Sequence, residues 1–138
     1  MRIKKVQERW FPAENDSDGA EVLIKELTPG EIQDIQECHK RKISYVKDEA
    51  GNLIPDLSFT PETSLELKLT FEKCVLDWKN FFDADSKPLP FSKDNLIRAM
   101  REIDGFNAWV VECRGVLTKD IAEEKKGQEK NLSSSAAG

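Results

Sequence analysis

Three cysteines and one histidine carry the widest chemical repertoire in this sequence, and none stands at a spacing that a reaction or a metal would use. Zinc centres announce themselves as C-x-x-C or H-x-x-x-H pairs. Cys38 and His39 are instead adjacent, which on a helix turns their side chains about 100° apart. Cys74 and Cys113 fall on the apolar faces of helical patterns and read as small core hydrophobes. An odd number of widely separated cysteines does not form a disulfide framework. His39 lies on an apolar helical stripe, which makes it a packing or boundary residue. No G-x-S-x-G or comparable frame supplies it with a nucleophile. Carboxylate pairs such as Asp83/Asp85 and Glu123/Glu124 carry no signal in a chain with 26 acids. The glycines are scattered, so no phosphate-cradling loop is present. The run "DADSK" lacks the glycine and the terminal glutamate of a calcium loop. The expectation is a protein with no catalytic residues, no metal site and no cofactor.

The elements that would position any functional residue must come from 138 residues, the length of one ordinary domain. Hydrophobic residues make up 38% and charged residues 34%, so part of the chain is expected to lie outside the core. The net charge of −5 argues against a duplex-DNA binder, which carries a basic face. Lys40, Arg41 and Lys42 do cluster, but acids surround them and the run reads as a solvated face. The opening "MRIKKVQERW" has no apolar centre of the kind a signal peptide needs. No apolar run approaches the roughly 18 residues of a membrane span. These features point to a cytosolic protein that binds neither nucleic acid nor membrane.

Read along the chain, residues 2–27 form a β-hairpin with a long loop, in which Asp18-Gly19 is the turn signal. A helix follows over 29–46: Thr28 is its N-cap, Pro29 its first residue, and Glu31 closes a capping box. Leu27 and Ile32 flank that cap as a hydrophobic staple. Leu53-Ile54 can form a short extended piece in the loop beyond. The segment after it is ambiguous. Leu65, Leu67, Leu69 and Phe71 alternate as in a strand, whereas Leu67, Phe71, Cys74, Val75 and Trp78 recur at helical spacing. Length and the Thr60-Pro61-Glu62 start favour a helix over 61–76. Ser92 caps a helix over 92–103, with Phe91 and Leu96 as its staple. The most periodic helix is 106–124, and residues 125–138 read as a flexible polar tail.

The expected fold is α+β and mainly helical, a hairpin packed on about four helices in a single domain over 1–124. The expected core comprises Ile32, Ile35, Ile43, Leu67, Phe71 and Val75 from the first half of the chain. Leu96, Met100, Trp109, Val110, Cys113 and Leu117 complete it. Between the second and third helices lies "LDWKNFFDADSKPLPFS", the most aromatic stretch of the sequence. Two readings of it stand. Trp78, Phe81, Phe82 and Phe91 either plug the core at a helix end or present a docking patch, since aromatic residues are enriched at interface hot spots.

The run "VLDWKNFFDADSKPLPFSKDNLIRAM" resembles the central signature of the tail assembly chaperones of long-tailed bacteriophages. That signature has a Trp-Lys segment, an acidic turn, and a Pro-Leu-Pro-Phe-Ser step into an Asn-Leu helix. Upstream, "DGAEVLIKELTPGEI" resembles the family's hairpin strand leading into its first helix. The likeness spans residues 17–117 in the same order, and the family's turn commonly has Gly where this chain has Ser86. The resemblance implies a non-catalytic protein of the host bacterial cytoplasm, absent from the mature virion. It implies that the protein coats the tape measure protein, keeps it soluble and helps recruit tail tube subunits. It also implies a possible frameshift-extended form, for which the polar tail suits a linker, and self-association along a long partner. Other readings are a small phage structural or head–tail adaptor protein, and a small regulatory nucleic-acid-associated module.

Overall fold

The computed structural model describes residues 1–38, 45–55 and 61–137, with side chains described through residue 127 apart from that of Pro55. Nine elements follow in order: β1 (Glu8–Pro12), β2 (Glu21–Lys25), α1 (Pro29–Glu37), β3 (Tyr45–Lys47), β4 (Leu53–Pro55), α2 (Ser64–Cys74), β5 (Val75–Lys79), α3 (Lys93–Glu102) and α4 (Phe106–Ala137). The architecture is α+β, four helices with a small antiparallel sheet of order β1-β2-β5. The N-terminal hairpin is present as read from the sequence, with Trp10 opposite Leu23 and Phe11 opposite Val22.

The sheet has a third strand that the sequence reading missed. The segment expected as helix 61–76 is helical only over Ser64–Cys74 and then passes directly into β5, which pairs with β2. The reason is a bulge. Leu23 lies opposite Asp77 and Ile24 opposite Val75, so Leu76 is an extra residue on β5. Without it, Val75 and Trp78 would face opposite sides of the sheet. With it, both turn inward and are buried, while Leu76 faces out. A spacing of three between buried residues is what a helix would also show, so periodicity carried the helical reading two residues too far, to 76.

Two further boundaries move. α1 ends at Glu37, nine residues before the expected end at 46; Val46 lies in β3, which pairs with β4 as a two-stranded ribbon. Leu53-Ile54, expected as an extended piece, is part of that ribbon. His39, Lys40, Arg41, Lys42, Ile43 and Thr60 lie outside the described residues. α4 continues as helix to Ala137, where the expected helix ended at 124 and the flexible tail began. The added stretch contains no proline, and its Lys, Gln, Glu and Ala residues are strong helix formers, although Gly127, Asn131 and the three serines at 133–135 are weaker ones.

Three of the four helix starts hold as read, while that of α2 moves from Pro61 to Ser64. Thr28 accepts from the Glu31 amide while Glu31 accepts from the Thr28 amide at 3.0 Å, a complete capping box. Its staple residues Leu27 and Ile32 are both buried. Ser92 accepts from the Asn95 amide at 3.1 Å, with Leu96 buried beneath Phe91's position. The N-cap of α2 is Thr63, accepting from the Glu66 amide at 3.1 Å.

The core forms where α1, α2, α3 and α4 meet the inner face of the sheet. Of the expected core, Ile32, Ile35, Phe71, Val75, Leu96, Val110, Cys113 and Leu117 are buried, and Leu67, Met100 and Trp109 pack against them half-buried. The sheet adds Val22 and Ile24, both fully buried, and Arg9 reaches from β1 to Asp120 on α4. On the opposite face of the sheet, the Lys79 ammonium sits 4.1 Å from the centre of the Trp10 ring.

Candidate protein-binding surface

The aromatic stretch answers its own question once β5 is in place. Trp78 enters the core from the end of β5, and Phe81 stacks on it with ring centres 4.2 Å apart and planes 5° from parallel. Phe91 meets Trp78 edge-on at 5.3 Å, and Phe106, the first residue of α4, meets both Trp78 and Phe81 edge-on. Such geometries favour the edge of one ring against the face of another. The Trp78 indole N–H donates to the Leu89 carbonyl at 2.8 Å, so the buried polar atom is satisfied and the return of the chain is fixed to the cluster.

The turn between Phe82 and Pro88 is a tight hairpin. The Asp83 amide donates to the Lys87 carbonyl, and the Asp83 carboxylate accepts from the amides of Asp85 and Lys87 at 2.9 and 3.0 Å. The first acid of "DADSK", Asp83, thus holds a turn. Ser86 has φ 61°, in the left-handed region that glycine occupies without strain.

Of the four residues expected to contact a partner, the structure therefore withdraws two from the surface. Trp78 and Phe81 are core residues at 5% and 7% exposure, because stacking on each other and on Phe106 removes their faces from solvent. Phe91 is half-buried against Trp78. Phe82, the neighbour of Phe81 on the opposite side of the chain, is 40% exposed.

Phe82 stands between two shallow, open depressions. The larger, of about 450 Å³, has a floor of Phe81, Phe106 and Trp109 and walls from the β1–β2 loop and the α3–α4 corner. The smaller, of about 310 Å³, lies over Trp78 and is walled by Pro88, Leu89 and Pro90. Asn80 positions one wall of the larger groove. It ends β5 at φ 60°, and its side-chain amide donates to the Gly19 carbonyl at 2.9 Å, tying the β1–β2 loop to the aromatic cluster. Gly105, at φ 78°, turns the chain from α3 into α4 and forms the other wall with Ile103, an exposed apolar residue. The rim carries Glu14, Asp16, Asp18 and Asp104, and no lysine or arginine lines the groove. Sequence reasoning missed Ile103, Trp109 as a surface residue, and the acidic rim. No local signal brings residues 13–20, 80–82 and 103–109 together; only the tertiary fold does.

The cysteines are where their patterns placed them. Burial pushes the Cys74 thiol up to about 12 and the Cys113 thiol up to about 11. Cys38 is exposed. Among the described residues no group of three His, Cys, Asp or Glu side chains is placed to hold a metal ion, and no helix is long and apolar enough to cross a membrane.

Comparison with family models, with curated proteins and with solved structures finds no match to this chain.

Proposed function

We propose that this protein is a non-catalytic tail assembly chaperone of a long-tailed bacteriophage or prophage. It binds the tape measure protein, keeps it soluble and helps recruit tail tube subunits, the last step by itself or through a frameshift-extended form. The reading is carried by the resemblance of the run at 75–100 to the signature of that family, with the hairpin strand and first helix upstream in the same order. A second observation is compatible with it: the turn of that run presents an exposed phenylalanine beside an open groove of mixed apolar and acidic lining, and holding a helical partner requires some apolar surface of this kind. Net negative charge keeps such a surface dispersed in solution. The action is stoichiometric binding in the host cytoplasm, with no reaction and no cofactor, and the protein leaves before the virion is complete. Self-association belongs to the same reading, because coating a long filament takes many copies.

The test is affinity capture with the tagged protein from cells making the late proteins of the phage, with the captured chains identified by mass spectrometry. The expected result is one very long, helix-rich protein in stoichiometric amount, and none of the bait in purified virions. Capture of nothing long, or bait within virions, transfers the reading to a structural or head–tail adaptor. Binding to DNA or RNA that weakens steeply with salt transfers it to a nucleic-acid-associated module.

A further inference from the structure

The groove beside Phe82 combines two properties that together describe a ligand. Its floor is aromatic, with Phe106 and Phe81 beneath and the half-buried Trp109 at its edge. Its rim is of one sign: Glu14, Asp16, Asp18 and Asp104 are all acids, and among the described residues none of them forms an ion pair. Three of these carboxylates, those of Glu14, Asp18 and Asp104, also take no hydrogen bond, whereas Asp16 accepts from the Ala20 amide at 2.9 Å to hold the loop. The two sides of the rim come from separate parts of the chain, the β1–β2 loop and the α3–α4 corner. The tie from Asn80 to Gly19 holds the first of them over the aromatic floor. The groove is open to solvent rather than enclosed, which suits a protein segment better than a small molecule held in a cavity.

We propose that this groove docks a basic amphipathic helix of the partner. Apolar side chains at helical spacing lie against the exposed Phe82 and Ile103 and the half-buried Trp109, over a base in which Phe81 and Phe106 are buried. Lysine or arginine side chains on both flanks of that stripe meet the carboxylates of the β1–β2 loop and of Asp104. The apolar contact supplies affinity, and the one-signed rim sets which helices are accepted, since an acidic helix meets only like charge. The inference rests on the reading that the chain binds a helical protein, and it specifies which kind of helix and where.

The experiment titrates the full chain into two fluorescently labelled synthetic helices, read by anisotropy. One has a leucine stripe flanked by lysines, the other the same stripe flanked by glutamates. The lysine-flanked helix is expected to bind, and the glutamate-flanked helix to bind at least about tenfold more weakly. Phe82→Ser and the double variant Asp18→Lys/Asp104→Lys are each expected to weaken the lysine-flanked helix about tenfold or more. A second double variant, Glu123→Lys/Glu124→Lys, makes the same charge change at exposed positions of α4 about 21 Å beyond Trp109 and is expected to leave binding within about twofold. All of these positions are surface residues, and melting curves matching the wild type verify that each variant is folded. Equal loss in the two double variants, equal binding of the two helices, or full binding by Phe82→Ser overturns the proposal. The same variants used as bait separate the two readings. Wild-type bait that captures no long partner removes the chaperone function, whereas groove variants that still capture it remove only the groove.

Discussion

Phe81 and Phe82 are chemically identical neighbours with opposite roles. Phe81 is stacked between Trp78 and Trp109, and Phe82 is 40% exposed. Phe81→Asp places a charge in the aromatic core and is expected to cost at least about 3 kcal/mol, enough to unfold much of a marginal domain. Phe82→Asp is expected to shift stability by less than about 1 kcal/mol while abolishing partner capture. Chemical denaturation of the two variants checks both. Thiol chemistry gives a second residue-scale outcome: alkylation of the folded protein near pH 8 labels Cys38, whereas Cys74 and Cys113, buried and held as thiols, react only on unfolding. A third concerns acid. Burial raises the Glu31 carboxyl, but hydrogen bonds from Lys25 and from Thr28 outweigh it and hold the carboxyl below its usual range. A depressed folded-state value means that the stabilisation is present above the unfolded-state pKa of about 4.3 and is lost as pH falls through the folded one. Melting temperature is therefore expected to fall more steeply with acid below about pH 4.5 in the wild type than in Glu31→Gln.

Among elements, β5 is the one on which the site depends. The bulge at Leu76 turns both Val75 and Trp78 into the core, and Trp78 then fixes Phe81, Leu89 and Phe91 around it. Deleting Leu76 restores strict alternation, so either Val75 or Trp78 must face solvent. The expected outcome is loss of the cooperative thermal transition, because burying a large aromatic side chain contributes about 3 kcal/mol or more. The α3–α4 corner is the second such element. Gly105 at φ 78° has open space around the position of a Cβ, so Gly105→Ala meets no clash and costs only the backbone strain, about 1 kcal/mol. Its effect on partner capture is expected to exceed its effect on stability, since the corner carries Ile103 and Asp104.

For the whole molecule, burial along α4 fades before residue 127. Leu117 is the last buried residue described and Ile121 the last half-buried one, while the following side chains through residue 127 are exposed. Truncation after residue 127 is therefore expected to leave the melting temperature within about 2 °C of the full chain, measured by calorimetry. The hairpin, three of the four helix starts, the main helical faces and eight of the twelve expected core residues were legible, because caps, staples and periodicity are local. The groove was not, because its walls lie far apart along the chain.

The sequence by itself determined that helices begin at Pro29, Lys93 and Phe106, that a hairpin precedes them, and that the aromatic stretch would be a focus of the fold. Each of these follows from interactions within a few residues, which the order of the chain already encodes. The tertiary structure alone decided that 75–79 is a strand, since its pairing partner β2 lies some fifty residues upstream and competes with the local helical pattern. It also decided which aromatic residues are core and which are surface. Burial is a property of what packs against a side chain, and the rings that cover Phe81 and leave Phe82 exposed come from β5 and α4 together.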